Sequence, residues 1–352
     1  LPTLPRIALV AGASGIVGTG IARRLVEDGW TVVCASRSGG GGLPGTTGLK
    51  VDLGDPADCA RALAAHTDIT HVFFAAYVAA PSRAAEVAPN LAMLRNLVEA
   101  ASELAPSLRR VVLVTGAKFY GIQWGATQTP CRESDPRQLP PNFYYDQEDF
   151  LRQAQRGQRW SWCNLIPPFV SGYAVGNPMN LVLGVGIYAA VSKAMGLPLR
   201  FPGSARAYES LHQIADAKQI GAAAAWAACS AQSANQAFNV TNGDPIRWSR
   251  SWPGIAAHFG MEVAAPKTMP LADVMPEQGA LWSRISERAG LRPVQIERIV
   301  NWGWVDYMLR MEHDVVLETG KIRRAGFHEC IETDEVFVER LRELQEQRVL
   351  PS

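Results

Sequence analysis

Through the first 165 positions, apolar residues gather in short runs, and the stretches between them repeat apolar positions at helical spacing. The runs Ile7 to Ala11, Thr31 to Ser36, Leu49 to Asp52, His71 to Ala75, Arg110 to Thr115 and Trp160 to Ile166 are rich in Val, Ile, Leu and Phe with little polar alternation. That composition suits strands buried on both faces, as in a parallel sheet. Helical spacing covers Ile16 to Glu27, Ala57 to His66, Ala84 to Ala105 and Phe143 to Gln155. Six strands alternating with helices predict an α/β fold: a doubly wound parallel sheet with right-handed crossovers.

Beyond residue 167 the pattern breaks up. Pro167, Pro168, Pro178, Pro198, Pro202, Pro245 and Pro253 punctuate shorter elements. The expected organisation is one domain over 1–166 and a smaller, interwoven substrate-side region over 167–352. The most apolar segment, Leu181 to Val191, is too short to span a bilayer and reads as a buried helix. Ala-rich Ile220 to Ala228 reads as a helix that approaches a neighbour closely, and the glycine run Gly39 to Gly42 as a loop after the second strand.

Composition narrows the function classes. The chain has 352 residues, 47% hydrophobic and 19% charged, with a formal net charge of +1. Neither nucleic acid nor an anionic membrane is an expected partner at that balance. Cys34, Cys59, Cys131, Cys163, Cys229 and Cys330 show no paired spacing, and the six histidines show no ligand spacing, so no metal site is expected. The chain reads as a cytoplasmic protein with reduced thiols, because its start lacks a basic head followed by a long apolar run.

The first strand runs into VAGASGIVGTG, which places Gly12, Gly15 and Gly18 in a GxxGxxG turn between strand and helix. Glycines there permit a tight turn, close approach of backbone to a pyrophosphate, and close helix–strand packing, so residues 1–166 read as a Rossmann dinucleotide-binding domain. The helix start, with Ser14, Gly15 and Ile16, offers main-chain N–H groups to the phosphates. At the end of the second strand stand Ser36, Arg37 and Ser38, where an NAD-dependent enzyme usually has an acid. A guanidinium with two hydroxyls suits a phosphate instead, so NADP(H) is the expected cofactor. Asp52 and Leu53, closing the third strand, are expected at the adenine edge, and Thr115 at the tip of the fifth.

The stretch NFYYDQED (Asn142 to Asp149) carries two adjacent phenols. Dinucleotide-linked enzymes often pair a tyrosine with a lysine four residues on, but Glu148 and Asp149 occupy those places. The cation expected instead is Lys118, just past the fifth strand in VVLVTGAKFYG. Asn142 is the expected N-cap of the helix carrying the tyrosines, which brings its first turn to the same sheet edge as Lys118.

TGAKFYG together with NFYYDQED resembles the progesterone 5β-reductase and iridoid synthase group of short-chain dehydrogenases/reductases. GASGIVG, Ser36 with Arg37, LRFPG at Leu199 to Gly203 and AFNVTNGD at Ala237 to Asp244 extend the resemblance through most of the chain. It implies an extended Rossmann reductase with NADPH as cofactor, reduction of a carbon–carbon double bond conjugated to a carbonyl, and a homodimer. It also implies Lys118 and Tyr144 as the catalytic pair, leaving Tyr145 to packing; only one of two adjacent helical residues, about 100° apart, can face the nicotinamide. Two positions depart from the group's pattern, Phe119 in place of histidine and Ile166 in place of arginine before Pro167.

In the expected chemistry the Tyr144 hydroxyl donates to the oxygen of a developing enolate. A lysine ammonium within about 4–6 Å of it would favour the phenolate by about 1–3 pKa units. Apolar walls are expected from Phe119, Trp124, Phe143, Phe169, Tyr173, Trp302 and Trp304. A carbonyl reductase or alcohol dehydrogenase would use the same tyrosine and lysine; a non-enzymatic NADP(H) sensor on the same fold is a third reading, and the presence of both Lys118 and Tyr144 counts against it.

Overall fold

Strands β1 (Ile7–Ala11), β2 (Thr31–Ser36), β3 (Thr46–Lys50), β4 (His71–Phe74), β5 (Arg110–Val114) and β6 (Ser161–Ile166) form a parallel sheet in the order β6-β5-β4-β1-β2-β3. In this computed structural model the described residues are 5–39, 43–174, 178–292 and 299–352. Residues 40–42 of the predicted glycine loop lie outside them. A seventh strand, Gln236–Asn239, adds to the free edge of β6 in parallel, pairing Phe238 with Leu165. It comes from QAFN, beyond the six-strand pattern.

Side chains two apart on each strand share a face. Leu9 and Ala11, Val33 and Ala35, Val72 and Phe74, and Val111 and Leu113 join one core with Leu63, Leu94, Leu97 and Leu151 from the helices α2 (Pro56–Leu63), α3 (Arg83–Leu104) and α4 (Phe143–Ala154). The opposite face is covered by α1 (Ile16–Glu27) and the helix Ala217–Cys229. These two helices cross at glycines: a Cβ on Gly20 would lie 2.3 Å from the Ala217 carbonyl oxygen, and one on Gly221 would lie 2.5 Å from that of Gly20. The close approach expected of the Ala-rich segment is thus made backbone to backbone.

The third strand departs from expectation. It ends at Lys50, because the chain turns at Asp52, whose carboxylate accepts from the Gly54 N–H at 2.9 Å while its own N–H donates to Asp58 at 2.8 Å. Asp52 and Leu53 therefore follow the strand instead of ending it, and the Leu53 side chain is packed in the core.

The chain divides into two compact units. One comprises Leu1–Pro168, Ala217–Thr241 and Leu317–Cys330, and contains the seven-stranded sheet. The other comprises Phe169–Asp216, Asn242–Val316 and Ile331–Ser352. Within it, Phe169–Ser171, Leu211–Asp216 and Pro245–Arg247 form a three-stranded sheet. The predicted apolar helix runs over Leu181–Ala194 and is buried from Leu181 to Ser192. No helix among the described residues is long and apolar enough to cross a membrane.

Candidate active site

The glycine turn forms as its spacing predicts. Gly12 adopts φ +81°, and a Cβ there would lie 2.7 Å from the backbone of Ala75. Gly18 packs so closely that a Cβ would lie 2.2 Å from the Gly12 carbonyl oxygen. Gly15 is the N-cap of α1, so no side chain caps the helix, and its first turn contains no acid. Ser14 is exposed and Ile16 is buried; the Gly15 N–H donates to the Gly12 carbonyl at 2.9 Å, which leaves the N–H groups of the first helical turn for an anion. At the tip of β2, the Ser36 and Ser38 hydroxyls lie 3.3 Å apart and Arg37 is exposed. The uncapped helix end fits the pyrophosphate of a dinucleotide.

At the carboxyl end of β5 the backbone leads through Thr115 and Gly116 into a 3-10 turn, Ala117–Tyr120, that carries Lys118. Asn142 caps α4, its side-chain oxygen accepting from the Tyr144 N–H at 3.2 Å. The same carboxamide donates to the Lys118 carbonyl at 2.8 Å. One buried side chain thus ties the lysine's turn to the tyrosine's helix. Tyr144 reaches back over the strand tip, where a Cβ on Gly116 would meet its hydroxyl oxygen at 3.2 Å.

The two phenols have different surroundings. Tyr145 is buried, donates to the Phe119 carbonyl at 2.6 Å and accepts from the Gln138 N–H at 3.0 Å. The Arg137 guanidinium lies 4.9 Å from its ring centre. Tyr144 is half-buried, and its hydroxyl makes no hydrogen bond with the described residues.

Glu148 is 3% exposed on the inner side of α4. Its carboxylate accepts from Asn164 in β6 at 2.8 Å and from Arg152 at 3.0 Å, and it lies 3.5 Å from Arg137. The Thr115 hydroxyl donates to Asn164 at 2.9 Å. The acid one turn after Tyr144 therefore anchors the helix to the ends of β5 and β6. Gln147 adds a bond to the Asn90 carbonyl of α3 at 3.0 Å.

The electrostatics differ from the sequence expectation. The Tyr144 phenol is held well above the ordinary range, first by burial and then by the Glu86 carboxylate. The phenolate is thus disfavoured, contrary to the stabilisation expected from Lys118, because burial and a nearby anion both oppose ionisation. Lys118 is lowered by burial, with Glu86 opposing and Arg83 reinforcing that shift.

Glu86 and Tyr77, absent from the sequence reading, complete this cluster. The Tyr77 hydroxyl donates to Glu86, and its ring stacks on Phe143 at 5.8 Å, which in turn contacts the Tyr144 ring at 4.4 Å. Both residues flank a loop of small residues with no periodicity, so only the fold brings them to the site. Among the expected apolar walls, Phe143 adjoins Tyr144, and Trp124 is 48% exposed beneath the Arg83 guanidinium. Phe119 is buried against Tyr120 and Tyr145. Within the second unit, Phe169 packs edge-on to His212, Tyr173 is half-buried, and Trp302 is buried in the helix Trp302–Leu309, where Trp304 is half-buried.

A family model described as a PRISE-like Rossmann-fold domain matches residues 52–351. An (S)-8-oxocitronellyl enol synthase of Nepeta racemosa is 33% identical, covering 87% of this chain and 83% of its own. A 3-oxo-Δ(4,5)-steroid 5β-reductase of Arabidopsis thaliana is 30% identical over 91% of this chain and 87% of its own. Among solved structures, a UDP-glucose 4-epimerase of Thermotoga maritima with UDP-glucose superposes with a TM-score of 0.67 at 13% identity, covering 97% of this chain and 99% of that one. Sheet order, glycine turn and the match over most of the sequence agree: the chain is a member of the PRISE-like Rossmann-fold family.

Proposed function

We propose that this chain is an NADPH-dependent reductase of activated enones, with Tyr144 as the donor to the carbonyl oxygen and Lys118 as the supporting cation. The observation that carries this reading is the contrast between the phenols. The Tyr145 hydroxyl is bonded on both sides, whereas that of Tyr144 stands over Gly116 with no partner among the described residues. Two relatives are named for a steroid 5β-reductase and an enol synthase, which supports an enone substrate and an enolate-type intermediate.

When bound, the dinucleotide supplies the hydride. The uncapped start of α1 would hold its pyrophosphate, and Ser36, Arg37 and Ser38 its additional phosphate. Hydride addition to the β-carbon moves negative charge to the carbonyl oxygen, and a neutral phenol aimed there stabilises it. A phenol kept protonated by burial and Glu86 suits that donor role and is poorly suited to taking a proton from an alcohol. This favours double-bond reduction over alcohol oxidation.

The test is product analysis with NADPH and a simple cyclic enone. A saturated ketone is the expected product. An allylic alcohol, or no turnover with any enone, overturns the reading.

A further inference from the structure

We propose that Glu86 is a positioning residue for this site: one carboxylate that anchors the Tyr77 hydroxyl and sets a negative charge beside both Lys118 and Tyr144. The kinetic part of this inference rests on the enone-reductase reading, and the structural part does not.

The carboxylate is held by its surroundings. Ser82 caps α3, its hydroxyl accepting from the Ala85 N–H at 3.2 Å, and the Glu86 N–H donates to the Ser82 carbonyl at 3.0 Å, so Glu86 occupies the first turn. One turn on, the fully buried Asn90 accepts from the Val78 N–H at 2.9 Å and donates to the Val78 carbonyl at 2.8 Å. That double bond pins the loop after β4 and brings Tyr77 to Glu86. The titratable groups that feel this carboxylate are Tyr77 from this loop, Lys118 after β5 and Tyr144 on α4, and Arg83 on the same helix acts on Lys118 in the opposite sense.

Glu86 therefore acts by two routes. Sterically, it fixes Tyr77, which stacks on Phe143 and through it supports the Tyr144 ring. Electrostatically, it keeps protons on both Lys118 and Tyr144, offsetting for the lysine the effects of burial and Arg83. Without that charge, both groups lose their protons at lower pH.

Two substitutions separate the routes. Glu86→Gln removes the charge and keeps an acceptor for Tyr77, whereas Tyr77→Phe removes the hydroxyl and keeps the charge. The chain has six lysines, so reductive 13C-methylation followed by NMR resolves few resonances, and Lys118→Arg assigns the one at the site. The Lys118 titration midpoint is expected to fall in Glu86→Gln and to stay in place in Tyr77→Phe. The alkaline limb of kcat/KM with an enone is expected to move in the same direction. An unchanged Lys118 midpoint in Glu86→Gln overturns the inference. A shifted midpoint in a protein that reduces no enone supports the role of Glu86 and overturns the enone reading alone.

Discussion

The Asn142 side chain bonds the Lys118 carbonyl at 2.8 Å while capping the helix that carries Tyr144. One carboxamide thus sets the spacing between two proposed catalytic residues that are 26 positions apart in sequence. Asn142→Ala is expected to cost about 1 kcal/mol of stability through loss of the cap. It should also lower kcat by about tenfold or more, since small displacements of a reacting group are costly. Asn142→Asp retains the cap acceptor but lacks the amide donor, so it should preserve stability better than it preserves kcat. Urea unfolding and steady-state kinetics on both variants check this.

The adjacent phenols should separate stability from turnover. Tyr145→Phe leaves the buried Phe119 carbonyl without its donor and is expected to cost about 1–3 kcal/mol. Tyr144→Phe removes a hydroxyl with no partner among the described residues, so stability should change little while turnover falls about a hundredfold or more. Denaturation midpoints and kcat, measured on the same preparations, test the split.

Much of this arrangement was legible in the sequence. The glycine turn, five of the strands and the cap at Asn142 follow from local spacing, and the fold forms them; the third strand lies at Thr46–Lys50, earlier than Leu49 to Asp52. The seventh strand did not announce itself, because four residues with polar ends carry no clear period and lie far from their neighbour β6 in sequence. Asn164 was visible as a polar residue inside an apolar strand, yet its partner Glu148 belongs to another element. Tyr77 and Glu86 belong to a loop and a helix start whose meeting depends on Asn90, and no residue pattern encodes that.

Glu148 should prove structural. Truncation to alanine leaves the fully buried Asn164 amide without its acceptor and is expected to cost about 1–3 kcal/mol. Glu148→Gln keeps an acceptor and should cost less. Urea denaturation of the pair, compared with wild type, decides it.

Arg37 should govern the choice between dinucleotides. Arg37→Asp replaces the phosphate-seeking guanidinium at the tip of β2 with an acid and is expected to raise the KM for NADPH by about 10–100-fold. The KM for NADH should rise less or fall. Steady-state kinetics with both cofactors reads this directly.

Stability should decline on acidification before the carboxylates titrate. Burial pushes His71 and His212 down to about 4 from their ordinary 6.5. Below pH 6.5 the unfolded chain therefore binds protons that the folded chain refuses, and stability falls progressively until about pH 4. Each histidine is expected to cost roughly 1–2 kcal/mol at pH 5 relative to pH 8. Denaturation at several pH values checks the slope, and His212→Leu should flatten it.

The Gly20–Gly221 crossing and the strand Gln236–Asn239 complete the unit that holds the seven-stranded sheet with segments distant from its first 168 residues, and a third piece arrives at Leu317–Cys330. During synthesis the unit therefore stays unfinished until Cys330 has left the ribosome, with its outer strand edge unprotected until the strand Gln236–Asn239 arrives. A shortened version stopping near residue 168 would lack both the covering helix and the bordering strand. It would be a fragment in need of its missing pieces, with no claim to being a minimal cofactor-binding module.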